Sequence, residues 1–228
     1  METVLVLFSA NSEWKSVLAY AKPARIQSTP FGEFFQEKIN GLTIVFVKGG
    51  WGKISAAASA QYGIQRWQPD LVINLGTCGG FEGRVERGTI VLVEQTVVYD
   101  IFEQMGVPEE ALAFYSTDLD LSWLKEPYPQ SVQRGRLISA DRDILPEDVD
   151  GLVKVFNVFA ADWESGAIAW VCRNNGVQCL ILRGVSDLVN ANGGEVYGDI
   201  DVFHRSTQEI INSLLDHLPE WILCCRIL

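Results

Sequence analysis

Ala160 to Asp187, AADWESGAIAWVCRNNGVQCLILRGVSD, holds a helix, a turn and a buried strand that ends in charge. Ala167, Ile168, Val171 and Cys172 follow the i, i+3, i+4 spacing of an apolar helix face. Asn174, Asn175 and Gly176 end that helix, because Asn and Gly tolerate the left-handed backbone common at helix C-termini. VQCLILRGVSD then reads as a continuous apolar strand that delivers Arg183, Ser186 and Asp187 at or just past its carboxyl end. Glu164 stands immediately ahead of the helix. In open α/β sheets, ligands bind outside the carboxyl ends of the strands. Two carboxylates and an arginine are therefore offered where chemistry is expected.

Upstream, Glu2 to Phe8 reads as a first buried strand and Ser9 to Ser12 as a polar turn. Glu13 to Tyr20 follows as a short helix with apolar Trp14, Val17 and Leu18, and residues 22–30 as an irregular segment. Phe31 to Ile39 and Leu42 to Val47 flank Asn40-Gly41, the strongest short hairpin signal. Gly49 and Gly50 end the second of these strands. An Ala-rich helix runs from about Ile54 to Trp67, and Gln68-Pro69-Asp70 stops it before the buried strand LVINL. Gly76-Thr77-Cys78-Gly79-Gly80 is expected to be a turn that a ligand can approach closely.

Thr89 to Val98 and Gln133 to Ser139 are further strands, separated by loop and short helices from Asp100 to Trp123. A helix over 146–156 starts at Pro146, and NVFAA is strand-like. Asn190 to Asp199 reads as a mobile segment. The last helix, Val202 to Leu218, turns Phe203, Ile210, Ile211, Leu214, Leu215 and Leu218 to one apolar face. Alternation of strand and helix implies a single α/β domain over 1–228, a three-layer sandwich around a mixed, largely parallel sheet.

The 228 residues are 48% hydrophobic and 21% charged, a globular balance without disordered composition. A formal net charge of −11 argues against a nucleic-acid surface, which needs clustered Lys and Arg. It leaves room for a small ligand. No apolar run reaches the length of a membrane span, and METVLVLFSA lacks the basic start of a secretory signal. The five cysteines show no metal-ligand spacing, and only two histidines are present. No metal, no nucleic acid, no membrane and a cytoplasmic location are the expectations.

Three constellations carry possible chemistry. Glu164 with Asp187 is the first. An acid ahead of a helix is often only a cap or a partner for the helix dipole, whereas Asp187 follows a buried strand together with Ser186 and Arg183. Partial burial there would raise its pKa and make it a proton donor near neutrality. The second is the glycine-rich GTCGG, which matches neither a dinucleotide fingerprint nor a P-loop and alone is a plain strand-to-helix turn. The third is Glu13, after the first strand, where an exposed acid is the ordinary alternative.

In order, the chain reads strand-A-x-x-E, GG-x-G-K-x-x-A-A-A, QPDLVINLGTCGG, ADWESGAIAWVC and ILRGVSD. This arrangement resembles the nucleoside phosphorylase and nucleosidase superfamily, most of all its methylthioadenosine/S-adenosylhomocysteine nucleosidase branch, over nearly the whole chain. The resemblance implies hydrolysis of a purine nucleoside without a cofactor. It makes Asp187 the acid that protonates N7 of the leaving base, with Ser186 orienting it. Arg183 and Glu13 then bind and activate the attacking water. Glu164 holds the ribose hydroxyls, Trp163 lies beside the sugar, and Thr77, Cys78 and Gly79 line the ribose side. Asp143 and Ile144 occupy the base-binding segment. Members form dimers, trimers or hexamers, so a homo-oligomer, foremost a dimer, is expected.

Four departures stand out. Trp163 replaces the methionine before the ribose glutamate, and Arg142 and Asp143 occupy a segment that carries an aromatic residue in this branch. The base is thereby left open. Glu13 lies three residues beyond Ala10 where the branch has four, and Leu75 replaces the arginine that phosphate-using members often carry. That loss favours water, yet Arg25 and Arg84 keep a phosphorylase as the alternative. A futalosine-type hydrolase and a non-catalytic nucleoside-binding or storage protein are the other readings.

Overall fold

The first strand, Thr3–Phe8 (β1), is apolar on both faces, and Val4 to Phe8 are fully buried. Such a strand needs cover on both sides. In the computed structural model, which describes residues 2–190, 192–195 and 200–225, it receives that cover. Val4, Val6 and Phe8 meet the helices Asn11–Ala21 (α1), Ile200–Asp216 (α6) and Leu218–Cys224 (α7). Leu5 and Leu7 meet Gly52–Trp67 (α2) and share a core with Ser165–Asn175 (α5). The result is helix, sheet, helix: the three-layer α/β sandwich around a mixed sheet.

The hairpin at Asn40-Gly41 joins Glu33–Ile39 (β3) to Leu42–Lys48 (β4), after a two-residue strand, Gln27–Ser28 (β2), inside the segment expected to be irregular. β4 pairs in parallel with β1, and β1 in parallel with Leu71–Phe81 (β5). Downstream come Ile90–Val98 (β6), Pro108–Phe114 (α3) and Thr117–Asp118 (β7), then Gln133–Ser139 (β8). A 3-10 turn at Pro146–Asp148 leads into Val149–Phe156 (α4), Ala160–Asp162 (β9) and Gln178–Asn190 (β10). Strands β5, β9, β8, β6 and β10 pair successively, and β10 returns to β5, so half of the sheet closes into a ring. Periodicity cannot reveal that closure.

Two expectations are corrected. GTCGG is no turn: β5 runs on through Phe81, because Gly79 and Gly80 pair with β10 on one side and β9 on the other. A Cβ on Gly80 would lie 2.5 Å from Val85 and 2.7 Å from Val185, so glycine here serves close packing. The helix expected over Val202 to Leu218 forms as α6, but Leu218 opens the separate α7, and Phe203 leaves the apolar face assigned to it to line a cavity. Of the segment 190–199, residues 191 and 196–199 lie outside the described residues, and Gly193–Gly194 (β11) pairs antiparallel with Val189 and Asn190.

Candidate active site

The parallel strands β1, β5 and β10 end on the same side of the sheet, and the candidate acids gather there. β10 stays in register with β5 up to Val185 opposite Cys78, then resumes with Asp187 opposite Gly79. Ser186 is the extra residue of a bulge, a device that re-aims neighbouring side chains. Its hydroxyl donates to Asp187 Oδ1 at 2.6 Å and lies 3.2 Å from the Cys78 carbonyl. Asp187 is buried, and burial raises its carboxyl above the ordinary range against the Ser186 hydrogen bond, with the charges of Glu195 and Asp143 adding to it. Cys78, sealed beside it, is likewise pushed well up by burial and by Asp162, so its thiol stays neutral.

Glu13 is buried, contrary to the exposed alternative. It occupies the first turn of α1, and its Oε2 accepts the backbone N–H groups of Ser9 (3.1 Å) and Ala10 (2.9 Å). This is the half of a capping box that an alanine N-cap permits. Oε1 accepts the Thr77 N–H at 2.7 Å and the Thr77 hydroxyl at 3.1 Å. One carboxylate thus ties the end of β1 to the end of β5.

Arg183 was expected beside the nucleophile, but its side chain is fully buried beneath the cavity and is absent from the lining. Its Nη2 donates to Asn74 Oδ1 at 2.7 Å and lies 2.9 Å from Asp162 Oδ2, and Nε donates to Ser165 Oγ at 2.9 Å. Nη1 lies 3.7 Å from Glu13 Oε1 and has no hydrogen bond. Burial works against the guanidinium charge, yet Asp162, Glu13 and Glu164 together outweigh it and hold the pKa above its ordinary value. Asp162 and Asn74 were missed from sequence. Asn74 carried a signal, as the one polar residue within LVINL.

Glu164 sits at the N-cap of α5 without capping it. Asp162 takes that task, accepting the Ser165 N–H and hydroxyl and the Ser139 hydroxyl. The Glu164 carboxylate instead accepts the Gly52 N–H at 3.0 Å, at the start of α2. Burial, then the charge of Asp162, push its pKa from 4.5 to about 8, while Arg183 pulls the other way. A carboxyl raised on folding contributes stability that is complete below its unfolded value and is lost as pH rises through about 8. Glu164→Gln should therefore flatten the fall in Tm across this window. Its melting point should match the parent's at acid pH and exceed it increasingly as pH rises towards about 8, the slope difference reaching about 1.4 kcal/mol per pH unit. Parallel curves for the two proteins would refute this.

A cavity of about 240 Å³ unites these groups. Glu13, Thr77, Cys78, Gly79, Asp143, Ile144, Trp163, Glu164, Ser186 and Asp187 all line it. Sequence reasoning did not single out the lining residues Ala10, Trp51, Tyr99, Ala161, Asp162 and Val189. Trp163 is half-buried and stacks on Trp51 with ring centroids 4.9 Å apart and planes at 25°. Among the described residues the lining holds one cationic side chain, Arg142, which is ion-paired with Asp148.

A model of the phosphorylase superfamily matches residues 4–218. The chain belongs to the phosphorylase superfamily. A 5′-methylthioadenosine/S-adenosylhomocysteine nucleosidase of Haemophilus influenzae (strain PittEE) is 33% identical over 184 residues, covering 76% of this chain and 79% of that protein. Two solved superfamily structures share the fold. The nucleosidase of Neisseria meningitidis in complex with methylthio-immucillin-A superposes with a TM-score of 0.77 at 20% identity, covering 97% and 99% of the two chains. The 5′-methylthioadenosine nucleosidase of Arabidopsis thaliana in apo form gives 0.79 at 18% identity, covering 96% and 95%. Within this superfamily fold, Leu75 is fully buried in the core, and neither Arg25 nor Arg84 lines the cavity.

Proposed function

We propose that this chain hydrolyses the N-glycosidic bond of a purine nucleoside, with methylthioadenosine and S-adenosylhomocysteine, named for its relatives, as the first substrates to test. The observation that carries this reading is the cavity lining. Five acids (Glu13, Asp143, Asp162, Glu164 and Asp187) face one arginine that is already paired. Among the described residues no unpaired cationic side chain lines the cavity to hold a phosphate, and the acids that are ionised suit a cationic sugar.

Cleavage moves the C1′–N9 bonding electrons onto the base and leaves positive charge on the ribose. Asp187, whose burial keeps its proton to higher pH, donates it to N7. Glu164 as a carboxylate accepts hydrogen bonds from the ribose hydroxyls and faces the developing cation. Glu13 orients water and takes its proton as the new C1′–O bond forms. Arg183 acts from beneath, fixing Asn74, Asp162 and Ser165. The products are free base and free sugar. A protein that only binds or stores nucleosides has no use for an acid that burial inclines to hold its proton beside the base.

Product analysis with and without inorganic phosphate tests the reading. Release of free base and unphosphorylated sugar, at a rate indifferent to phosphate, is the expected result. A strict phosphate requirement would overturn it. Trp51 and Trp163 at the cavity leave the 5′ substituent to the substrate panel, a futalosine-type nucleoside included. Dimerisation belongs to the same proposal, supported by the exposed Trp51 and Ile54 at the start of α2. A cytoplasmic location is supported by five free cysteines. Among the described residues no helix is long and apolar enough to cross a membrane.

A further inference from the structure

Asp162 takes no chemical step in the mechanism above, yet it is tied to three donors and a guanidinium at the edge of the cavity. It arrives on β9 and is buried. It accepts from Ser139, from the N–H and hydroxyl of Ser165, and faces Arg183 Nη2 at 2.9 Å. Ser139 Oγ in turn accepts the Gly166 N–H at 2.9 Å, so the first turn of α5 hangs on this cluster. Glu164 rides on that turn. Asp162 therefore sets the position of two groups assigned to the reaction, Arg183 below and Glu164 above.

The charges add a second consequence. Three buried carboxyls, Glu13, Asp162 and Glu164, surround one buried guanidinium. An uncompensated charge sealed from water is costly, and such clusters keep a proton instead. The number of donors decides which carboxyl keeps it. Glu13 accepts four hydrogen bonds and stands 3.7 Å from Arg183, and Asp162 accepts three strong partners besides the guanidinium. Glu164 has the Gly52 N–H. The groups bearing on Glu164 are Asp162 from β9, Glu13 from α1, Arg183 from β10 and that amide from α2, while the neighbouring Cys78 on β5 is a neutral thiol.

We propose that Asp162 is a positioning residue of this site, which locks Arg183 and the start of α5 and whose fixed charge makes Glu164 the carboxyl that holds the cluster's proton. That proton leaves to solvent through the cavity when Glu164 ionises, and the resulting carboxylate receives the ribose hydroxyls. The role in turnover rests on the hydrolase reading; the placement of the proton does not.

Two measurements test it. Carboxyl ¹³C NMR of Glu-labelled protein, with Glu164 assigned by its loss in Glu164→Gln, should show Glu164 titrating near 8 in the parent. In Asp162→Asn, which keeps the shape and removes the charge, it should titrate lower by about one unit or more. Methylthioadenosine affinity, measured in an Asp187→Asn background to remove the other acid raised by burial, should rise from mildly acidic to mildly alkaline pH. Adding Asp162→Asn should remove most of that rise. A purely structural Asp162 would weaken binding equally at every pH, and that outcome, or an unmoved Glu164 titration, overturns the proposal. If Asp162→Asn fails to fold, the parent titration decides alone: a Glu164 that ionises in the ordinary carboxylate range refutes the idea. Should the protein hydrolyse no nucleoside, the functional reading falls while the carboxyl titration still decides the proton's place.

Discussion

Asp187→Asn should lower kcat by about 10²–10⁴-fold while leaving KM within a few-fold. The asymmetry follows from where the charge appears. In the ground state the base N7 is a hydrogen-bond acceptor, and an asparagine amide donates to it nearly as well as a carboxylic acid. In the transition state the base becomes anionic and needs a proton, which the amide cannot release. The loss therefore falls on the chemical step. Stability should move the opposite way. Asp187 is a carboxyl raised by burial, so its ionised form is penalised in the folded protein, and the penalty grows as pH rises through its raised value. The neutral amide escapes that penalty, and the variant should melt no lower than the parent at neutral and alkaline pH. Single-turnover kinetics beside thermal melts check both halves. A parallel loss of kcat and Tm would show that Asp187 is structural, and a rise in KM with kcat intact would show that it only binds.

The parts of this fold that were legible in the sequence are those governed by local rules. β1 and LVINL announce themselves as runs buried on both faces, and Asn40-Gly41 fixes the hairpin through its turn geometry. The acids were legible because each follows a buried strand or opens a helix at the edge where an open α/β sheet takes its ligands. What was not legible depends on register between strands distant in sequence. The bulge at Ser186 exists only because β10 must follow β5 and still present Asp187 to the cavity. The glycines after Leu75 read as a turn because glycine usually breaks strands, whereas ring closure by β9 and β10 holds them extended. Arg183 misled for a related reason. Its place near a carboxyl end was evident, but the direction of its side chain, sideways across β5 rather than up into the cavity, is set by its neighbour in the sheet.

That neighbour is Gly76, and Gly76→Ala is expected to be severely damaging. Arg183 and Gly76 are directly paired between β10 and β5, so their side-chain positions fall on the same face of the sheet. The guanidinium crosses over Gly76 toward Glu13. A Cβ built there would stand 2.0 Å from Arg183 Nη1, 2.5 Å from Glu13 Oε1 and 3.1 Å from Arg183 Cζ. A flexible surface side chain would swing away. This guanidinium has no slack, being held through Nη2 by Asn74 and Asp162 and through Nε by Ser165, and fully buried. To admit a methyl group, the strands must part or Arg183 must leave its carboxylates, and a buried charge without its partner is severely destabilising. The expected cost is roughly 3 kcal/mol, or about 10 °C in Tm. Activity should suffer even in the folded fraction. Glu13 and Arg183 shift together, and a misplacement of about 1 Å in a catalytic group costs on the order of 10²-fold. Thermal melts with kcat/KM per folded molecule measure the two effects separately. A variant that melts like the parent and turns over normally would mean that Arg183 has another path through the sheet, and the buried network would lose its claim to organise the site.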